Sequence, residues 1–324
     1  MDAIFEAYLA AQQRRRSSPL TIKTVEHTLR SAQRWLDEHQ IAPSELTLLE
    51  CEQYFDELLG RAAVATARRQ LAYVRAAYRY GVRHDLVERD PTVDVKLPRL
   101  PDIQPQTYSN DELRAIYAAI RCEREEVAFY LFAFAGLRLG EVAELAWERV
   151  DFERWQLRLT GKGGKFRLVP LHPALNDVLH EQRARTSRQE HVLTRIDGRE
   201  LSSNSLGRIV RGLVDRAGVG IDSPSHAFRR TVATVMYEQG VRTRVIERIM
   251  GWAPRRMHER HYLRVADEPM HQAILGLYQH DPICDRQERS LRLTSVPATP
   301  EATAWLVEET ARLKRLEQQL DQAG

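Results

Sequence analysis

At 324 residues, with 43% apolar and 29% charged side chains and a formal net charge of +3, the chain has a soluble globular composition and exceeds one typical core, so two domains and a tail are expected. The longest apolar run, residues 127–137, is too short to span a bilayer and the N-terminus MDAIFEAYLAAQQRRR lacks a leader-peptide layout, which predicts a cytoplasmic protein with no membrane partner. Cys51, Cys122 and Cys284 are far apart and show no metal-ligand spacing, which argues against a disulfide framework or a cysteine metal site.

Up to about residue 97 every patterned segment reads as helix. Residues 20–39 carry Ile22, Val25, Leu29, Ala32 and Leu36 at helical spacing, residues 44–59 make a shorter helix, and residues 61–83 carry Val64, Leu71, Val74, Tyr78 and Val82. In the last of these Arg68, Arg69, Arg75, Arg79 and Arg83 leave the apolar stripe and form a candidate DNA-facing surface. Residues 98–107, PRLPDIQPQT, hold three prolines and almost no helical pattern, as a semi-extended linker would. Beyond it Ser109, with Asp111 and Glu112 in the first turn, opens a helix, and VAFYLFAFAGL follows as a deeply buried one. WQLRLT and KFRLVPL, joined by GKGG, predict a β-hairpin. Helices resume at 173–185, 203–217, 226–239, 243–250 and 268–278. The tail holds a tether, LRLTSVPATP, and a charged helix at 302–320. Leu306, Leu313 and Leu320 recur there every seven residues, a pattern open to self-association or to docking on its own domain.

Charge is unevenly distributed. Residues 61–101 hold nine Arg or Lys against four acids, residues 181–262 hold sixteen against nine, and the segments outside them are net acidic. Two basic stretches suit a protein that grips a polyanion from two sides, because Lys and Arg that neutralise phosphates release counterions.

A few residues carry chemistry. Arg138, in AGLRLGE, follows Gly136 at the end of the apolar helix, where a glycine can turn the chain and present the next side chain from a rigid base. Lys162 and Lys165 sit in GKGGK, which lacks the spacing of a nucleotide-binding P-loop. His226 and Arg229, three apart in HAFRR, share one helix face. Trp252 follows His226 by twenty-six residues, and Tyr262, in ERHYLRV, follows Trp252 by ten. Two arginines, a lysine, a histidine and a late tyrosine are what metal-free phosphoryl transfer from DNA to a tyrosine hydroxyl needs, since arginine's planar fork contacts phosphate bidentately and stays charged.

In this order and at about these separations the residues resemble the tyrosine recombinases of the phage-integrase family, strongly from residue 131 to 264 and by helical pattern alone in the N-terminal part. The resemblance implies a mainly α fold: an all-helical core-type DNA-binding domain (1–97), a linker (98–107), a mostly helical catalytic domain with a small antiparallel sheet (108–282), and a C-terminal tether and helix (283–324). It implies that Arg138 and Arg229 clamp the scissile phosphate, that Glu141 buttresses the site, and that Lys162, preferred over Lys165, protonates the leaving 5′ oxygen. His226 would transfer a proton or hydrogen-bond, and Trp252 would donate its indole N–H without moving a proton. Tyr262 would be the nucleophile; His261, nine residues after Trp252, cannot form the phosphotyrosine bond. Arg230 stands where the family often has histidine, which puts a secondary DNA contact in doubt. Neither metal nor ATP is implied as cofactor. The implied partners are double-stranded DNA with inverted-repeat core sites and three further copies in a DNA-bound tetramer, with the 268–278 helix docking on the neighbouring protomer. Two other functions share these features: a catalytically inactive DNA-binding protein of the same fold, and a type IB topoisomerase-like enzyme that relaxes supercoils. Covalent-adduct and product analysis separate them.

Overall fold

The computed structural model describes residues 1–100, 104–160, 166–186, 189–252, 267–279 and 282–284. The chain divides into two compact units, Met1–Ile103 and Gln104–Gly324.

The first unit is built from four helices, α1 (Ala3–Arg14), α2 (Pro19–Glu38), α3 (Leu48–Arg61) and α4 (Val64–Arg83). Three of the four starts are capped by a side chain; α4, entered from Ala63, is not. Asp2 accepts from the Ile4 N–H, Ser18 accepts from the Thr21 N–H ahead of Pro19 at the first turn, and Thr47 and Glu50 form a reciprocal capping box. The stripes predicted for α2 and α4 close on Phe5, Trp35, Phe55 and Tyr78. Tyr78 is fully buried, and its hydroxyl donates to the Pro43 carbonyl at 2.9 Å, which satisfies the one polar atom of the ring. Three details depart from the sequence expectation. α1, whose Ile4, Tyr8 and Ala11 face the core at helical spacing, is an additional element. α3 spans Leu48–Arg61 rather than 44–59, so α4 begins three residues later than its apolar pattern suggests, after a break at Ala62 and Ala63 that follows closely on Gly60. Val82, counted on the stripe, is exposed at the end of α4.

In the second unit the central element is α6 (Glu123–Ala135), buried on every face from Val127 to Ala135 and therefore surrounded by other elements. Around it lie α5 (Asn110–Ala118), α7 (Leu139–Ala143), α8 (Pro173–Arg185), α9 (Ser203–Arg216), α10 (Pro224–Glu238), α11 (Thr243–Met250) and α12 (Asp267–Leu275). Ser109 caps α5 in a capping box with Glu112, as its sequence predicts. The hairpin is present as β2 (Gln156–Thr160) and β3 (Phe166–Pro170), paired Leu157 to Val169 and Leu159 to Arg167, with a short third strand β1 (Val150–Asp151) on the far side of β2. α10 starts at Pro224 rather than at His226; proline at the first helical position lacks only an N–H that would have no helical partner.

The helix expected to dock on a neighbour, α12, packs instead on its own chain. Met270, Ala273, Ile274, Leu277 and Tyr278 are buried in the core, the Tyr278 hydroxyl donates to the Ala133 carbonyl at 3.2 Å, and its ring meets Phe134 edge-on. An apolar stripe reads the same whichever chain supplies the surface it covers, so sequence alone could not separate the two outcomes. The predicted tail helix at 302–320 lies outside the described residues.

Gly136 and Gly60 should respond oppositely to alanine. Gly136 ends α6 at φ +58°, and a Cβ there would lie 2.8 Å from the Met250 terminal methyl. Gly136→Ala should therefore cost about 1–3 kcal/mol. Gly60, inside α3 with open space around it, should gain up to about 1 kcal/mol as alanine. Urea unfolding of the two variants against wild type measures both signs.

Candidate active site

Three consecutive carbonyls organise the site. α11 ends in a Schellman turn at Gly251 (φ +62°), with the Trp252 N–H donating to the Glu247 carbonyl at 2.9 Å and the Gly251 N–H to that of Arg248 at 3.2 Å. The carbonyls left at this C-terminus are met by three different guanidinium groups: Arg167 Nε donates to Ile249 at 3.0 Å, Arg229 Nη2 to Met250, and Arg138 Nη2 to Gly251 at 3.2 Å. The partial negative charge of a helix C-terminus makes it a natural seat for cations.

Each arginine is delivered by a separate element. Gly136, in the left-handed conformation, stops α6 and turns the chain so that Arg138 becomes the N-cap of α7. Arg229 lies in the second turn of α10, is 5% exposed, and also donates through Nη1 to the Gly136 carbonyl. Its guanidinium carbon lies 5.9 Å from the centre of the Trp252 ring, and the ring itself is largely open to solvent. Arg167 comes from β3 and points inward.

Glu141 joins two of the three. Its carboxylate accepts from Arg167 Nη1 and Nη2 at 2.6 and 2.8 Å, from Arg138 Nη1 at 2.9 Å, and from the Arg138 backbone N–H at 2.8 Å. Burial pushes this carboxyl upward, but the hydrogen bonds and charge of Arg167, followed by those of Arg138, outweigh it and hold the pKa down at about 2. Arg229 is driven the other way, by burial and then by the charges of Arg138 and Arg167, to about 9, and it remains charged at neutral pH. His226 is exposed beside them. Partial burial, and then Arg230, Arg229 and Arg138, lower its pKa from the ordinary histidine value, so the imidazole is neutral at pH 7 and able to accept a proton.

Arg138, Glu141, His226, Arg229 and Trp252 are thus brought together as their sequence positions suggest, whereas Lys162, Lys165 and Tyr262 lie outside the described residues. Arg230 turns its Nε to the Gln106 carbonyl at 2.7 Å and ties down the segment leading into α5. The residue missed by the sequence reading is Arg167. Its signal was available: KFRLVPL places a charged residue in phase with Val169 and Leu171, on the inward face of a strand.

The arginines of α4 divide into two groups. Arg75 is folded against its own unit, donating to the carbonyls of Thr92 and Val95, and Arg68 donates to that of Pro98. Arg69, Arg79 and Arg83 are exposed. Arg79 and Arg83 line a groove of about 420 Å³ with Arg75, Tyr80, Tyr8 and Arg15, the last two supplied by α1 and its C-cap. Among the described residues no helix is long and apolar enough to cross a membrane, and no group of His, Cys, Asp or Glu is placed to hold a metal ion.

Residues 106–269 match the phage integrase family, and the chain belongs to that family. It is a tyrosine site-specific recombinase, an enzyme that breaks and rejoins DNA strands. Tyrosine recombinase XerC of Lactobacillus delbrueckii subsp. bulgaricus is 26% identical over 262 residues, covering 76% of this chain and 89% of that protein. Tyrosine recombinase XerD of Lacticaseibacillus casei is 27% identical over 201 residues, 58% of this chain and 69% of that one. The fold matches a lambda integrase dimer bound to a COC′ core site with a TM-score of 0.67 at 15% identity, over 82% of this chain and 98% of that one.

Because the Glu141 carboxyl titrates well below its unfolded value near 4.5, its stabilisation is fully present above that value and is lost as pH falls toward 2. Glu141→Gln should lose on the order of 3 kcal/mol at pH 7, judged from the size of the shift. The gap to wild type should narrow steadily below pH 4.5, as urea unfolding at pH 7, 4 and 3 would record.

Proposed function

We propose that the chain recombines duplex DNA at inverted-repeat core sites through a 3′-phosphotyrosine link, using Tyr262 as nucleophile and Arg138 and Arg229 as the phosphate clamp. The observation that carries this reading is the charge imbalance of the site. Three guanidinium groups, Arg138, Arg167 and Arg229, converge on one carboxylate, Glu141, with a neutral imidazole beside them. Such a surplus of buried positive charge favours an incoming phosphate, and the part-exposed Arg138 lies at the open edge where one can arrive.

In the proposed reaction the Tyr262 oxygen attacks the scissile phosphorus and its proton passes to a neutral acceptor, for which His226 is suited. The bond from phosphorus to the 5′ oxygen breaks as Lys162 supplies a proton to the departing oxygen, and Trp252 donates a hydrogen bond to a non-bridging oxygen. The freed 5′ hydroxyl then attacks a partner strand's phosphotyrosine, which restores the tyrosine and conserves the bond energy, so neither metal nor ATP is consumed. Exchange between two duplexes needs four such centres, hence a tetramer on DNA; a lambda integrase tetramer bound to a Holliday junction shares the fold, with a TM-score of 0.67 at 16% identity, over 80% of this chain and 76% of that one. Residues 1–97 act as the core-type DNA-binding domain and 108–282 as the catalytic domain, joined by the 98–107 linker, with 283–324 as a C-terminal tether and helix. Arg69, Arg79 and Arg83 supply phosphate contacts of the first domain. Neither a binding protein without chemistry nor a relaxing topoisomerase is favoured beside the recombinase relatives.

Tyr262→Phe should bind cognate DNA as wild type does and form no covalent complex. Wild type on a nicked suicide duplex, with EDTA present, should yield a protease-sensitive 3′ adduct on a peptide containing residue 262. An adduct at Tyr237 or Tyr278 would overturn the assignment. Raising salt from about 50 to 200 mM should lower affinity about a thousandfold or more if six or more phosphates are neutralised.

The two groups of arginines on α4 should also separate by experiment. Arg79→Ala should weaken DNA binding with stability within about 0.5 kcal/mol of wild type. Arg75→Ala should lower the melting temperature, because it strands the Thr92 and Val95 carbonyls. Titration of labelled duplex and thermal melts give the two readings.

A further inference from the structure

Arg167 takes no part in the proposed chemistry, yet it is bonded to Glu141, one of the two acceptors that aim Arg138, and packs against Gly251, which supplies the other. Its side chain is 7% exposed, and its Nε and both Nη nitrogens are engaged: Nε with Ile249, Nη1 and Nη2 with the two oxygens of Glu141. Arg138 is held by Glu141 and by the Gly251 carbonyl. Arg167 fixes the first directly. It borders the second: Nε holds the Ile249 carbonyl two residues before Gly251, and the side chain packs so closely on Gly251 that a Cβ there would lie 2.8 Å from its Cδ.

We infer that Arg167 is a positioning residue for strand cleavage: it sets the Arg138 guanidinium by bonding one of its acceptors, Glu141, and packing against the residue that supplies the other, Gly251. The inference rests on the reading of Arg138 as a phosphate clamp. A buried Arg167, committed to protein acceptors, is not itself available to the phosphate.

The groups that act on Glu141 define how this role shows itself. Arg167 reaches it from β3, Arg138 from its own turn and Arg229 from α10; α11 contributes backbone carbonyls, and α9 places the Ser203 hydroxyl beside Gly140. Removing Arg167 leaves the carboxyl buried with less positive charge around it, so its pKa must rise and Arg138 loses an ionised partner as the pH falls. Lysine at 167 would return a charge but not the planar fork that spans Glu141 and the Ile249 carbonyl.

The test is single-turnover cleavage of a nicked suicide duplex at saturating protein from pH 5 to 8, for wild type, Arg167→Met, Arg167→Lys and Arg138→Ala, with duplex affinity and melting temperature measured for each. Arg167→Met should cleave on the order of 100-fold slower per folded molecule at pH 7.5, as expected of a clamp displaced by about an ångström. Its affinity should be near that of wild type, and its rate relative to wild type should fall further as the pH is lowered. Arg167→Lys should restore a pH-independent ratio to wild type and only part of the rate. A wild-type rate in Arg167→Met, or a loss explained wholly by unfolded protein, would overturn the inference, as would a loss of affinity equal to that of Arg138→Ala. If the Met variant does not fold, the Lys variant decides alone: a slowed rate at wild-type affinity supports the role, and a wild-type rate refutes it. Normal cleavage by Arg138→Ala would defeat the clamp reading itself, whereas an inert Arg138→Ala beside a normal Arg167→Met would defeat only the role given to Arg167.

Discussion

The C-terminus of α11 is the constraint on which the second unit turns. A helix must leave its last carbonyls without helical partners, and here Ile249, Met250 and Gly251 each receive a guanidinium from a different part of the chain. The strand β3, the turn after α6 and the second turn of α10 are thereby fixed to one short edge of backbone. Elements whose residues lie far apart in sequence are registered against each other to within a hydrogen bond. The geometry of the site follows from helix-end chemistry as much as from core packing.

Electrostatics give the same edge its second property. Arg138, Arg167 and Arg229 repel one another, and the pKa of Arg229 is lowered first by its burial and then by the charges of the other two. Glu141 offsets this for Arg138 and Arg167, while Arg229, which makes no hydrogen bond to it among the described residues, relies on the carbonyls of Gly136 and Met250 and on the face of Trp252. An open tryptophan at that place covers a cation without removing its charge. The arrangement leaves three guanidinium groups around one carboxylate, a net positive edge held by hydrogen bonds to backbone carbonyls.

Much of this was legible in the sequence because the informative residues are local. Gly136 before Arg138 and the HAFRR spacing each specify a short piece of backbone. The hairpin and the capped start of α5 are similarly local. What was not legible depends on where separate pieces meet. The break between α3 and α4 falls on two alanines, residues that favour helix, and Gly60 beside them lies inside α3. The partner of α12 is a matter of which surface lies nearest. Arg75 looked like a solvent-facing arginine because the carbonyls it serves, those of Thr92 and Val95, come from a segment with no pattern of its own. Arg167 went unread for the related reason that its acceptors, Glu141 and Ile249, lie 26 and 82 residues away.

The turn at Gly251 binds two positions into one unit of inheritance. A side chain there would collide with Arg167 and would also have to adopt φ +62°, so the glycine is required both by the turn and by the arginine that leans on it. Replacing Arg167 with a smaller residue relieves the collision but leaves Glu141 and Ile249 unserved. Replacing Gly251 first displaces Arg167. Each change carries its own cost, and making both relieves only the collision, leaving the strained φ at 251 and the two unserved acceptors.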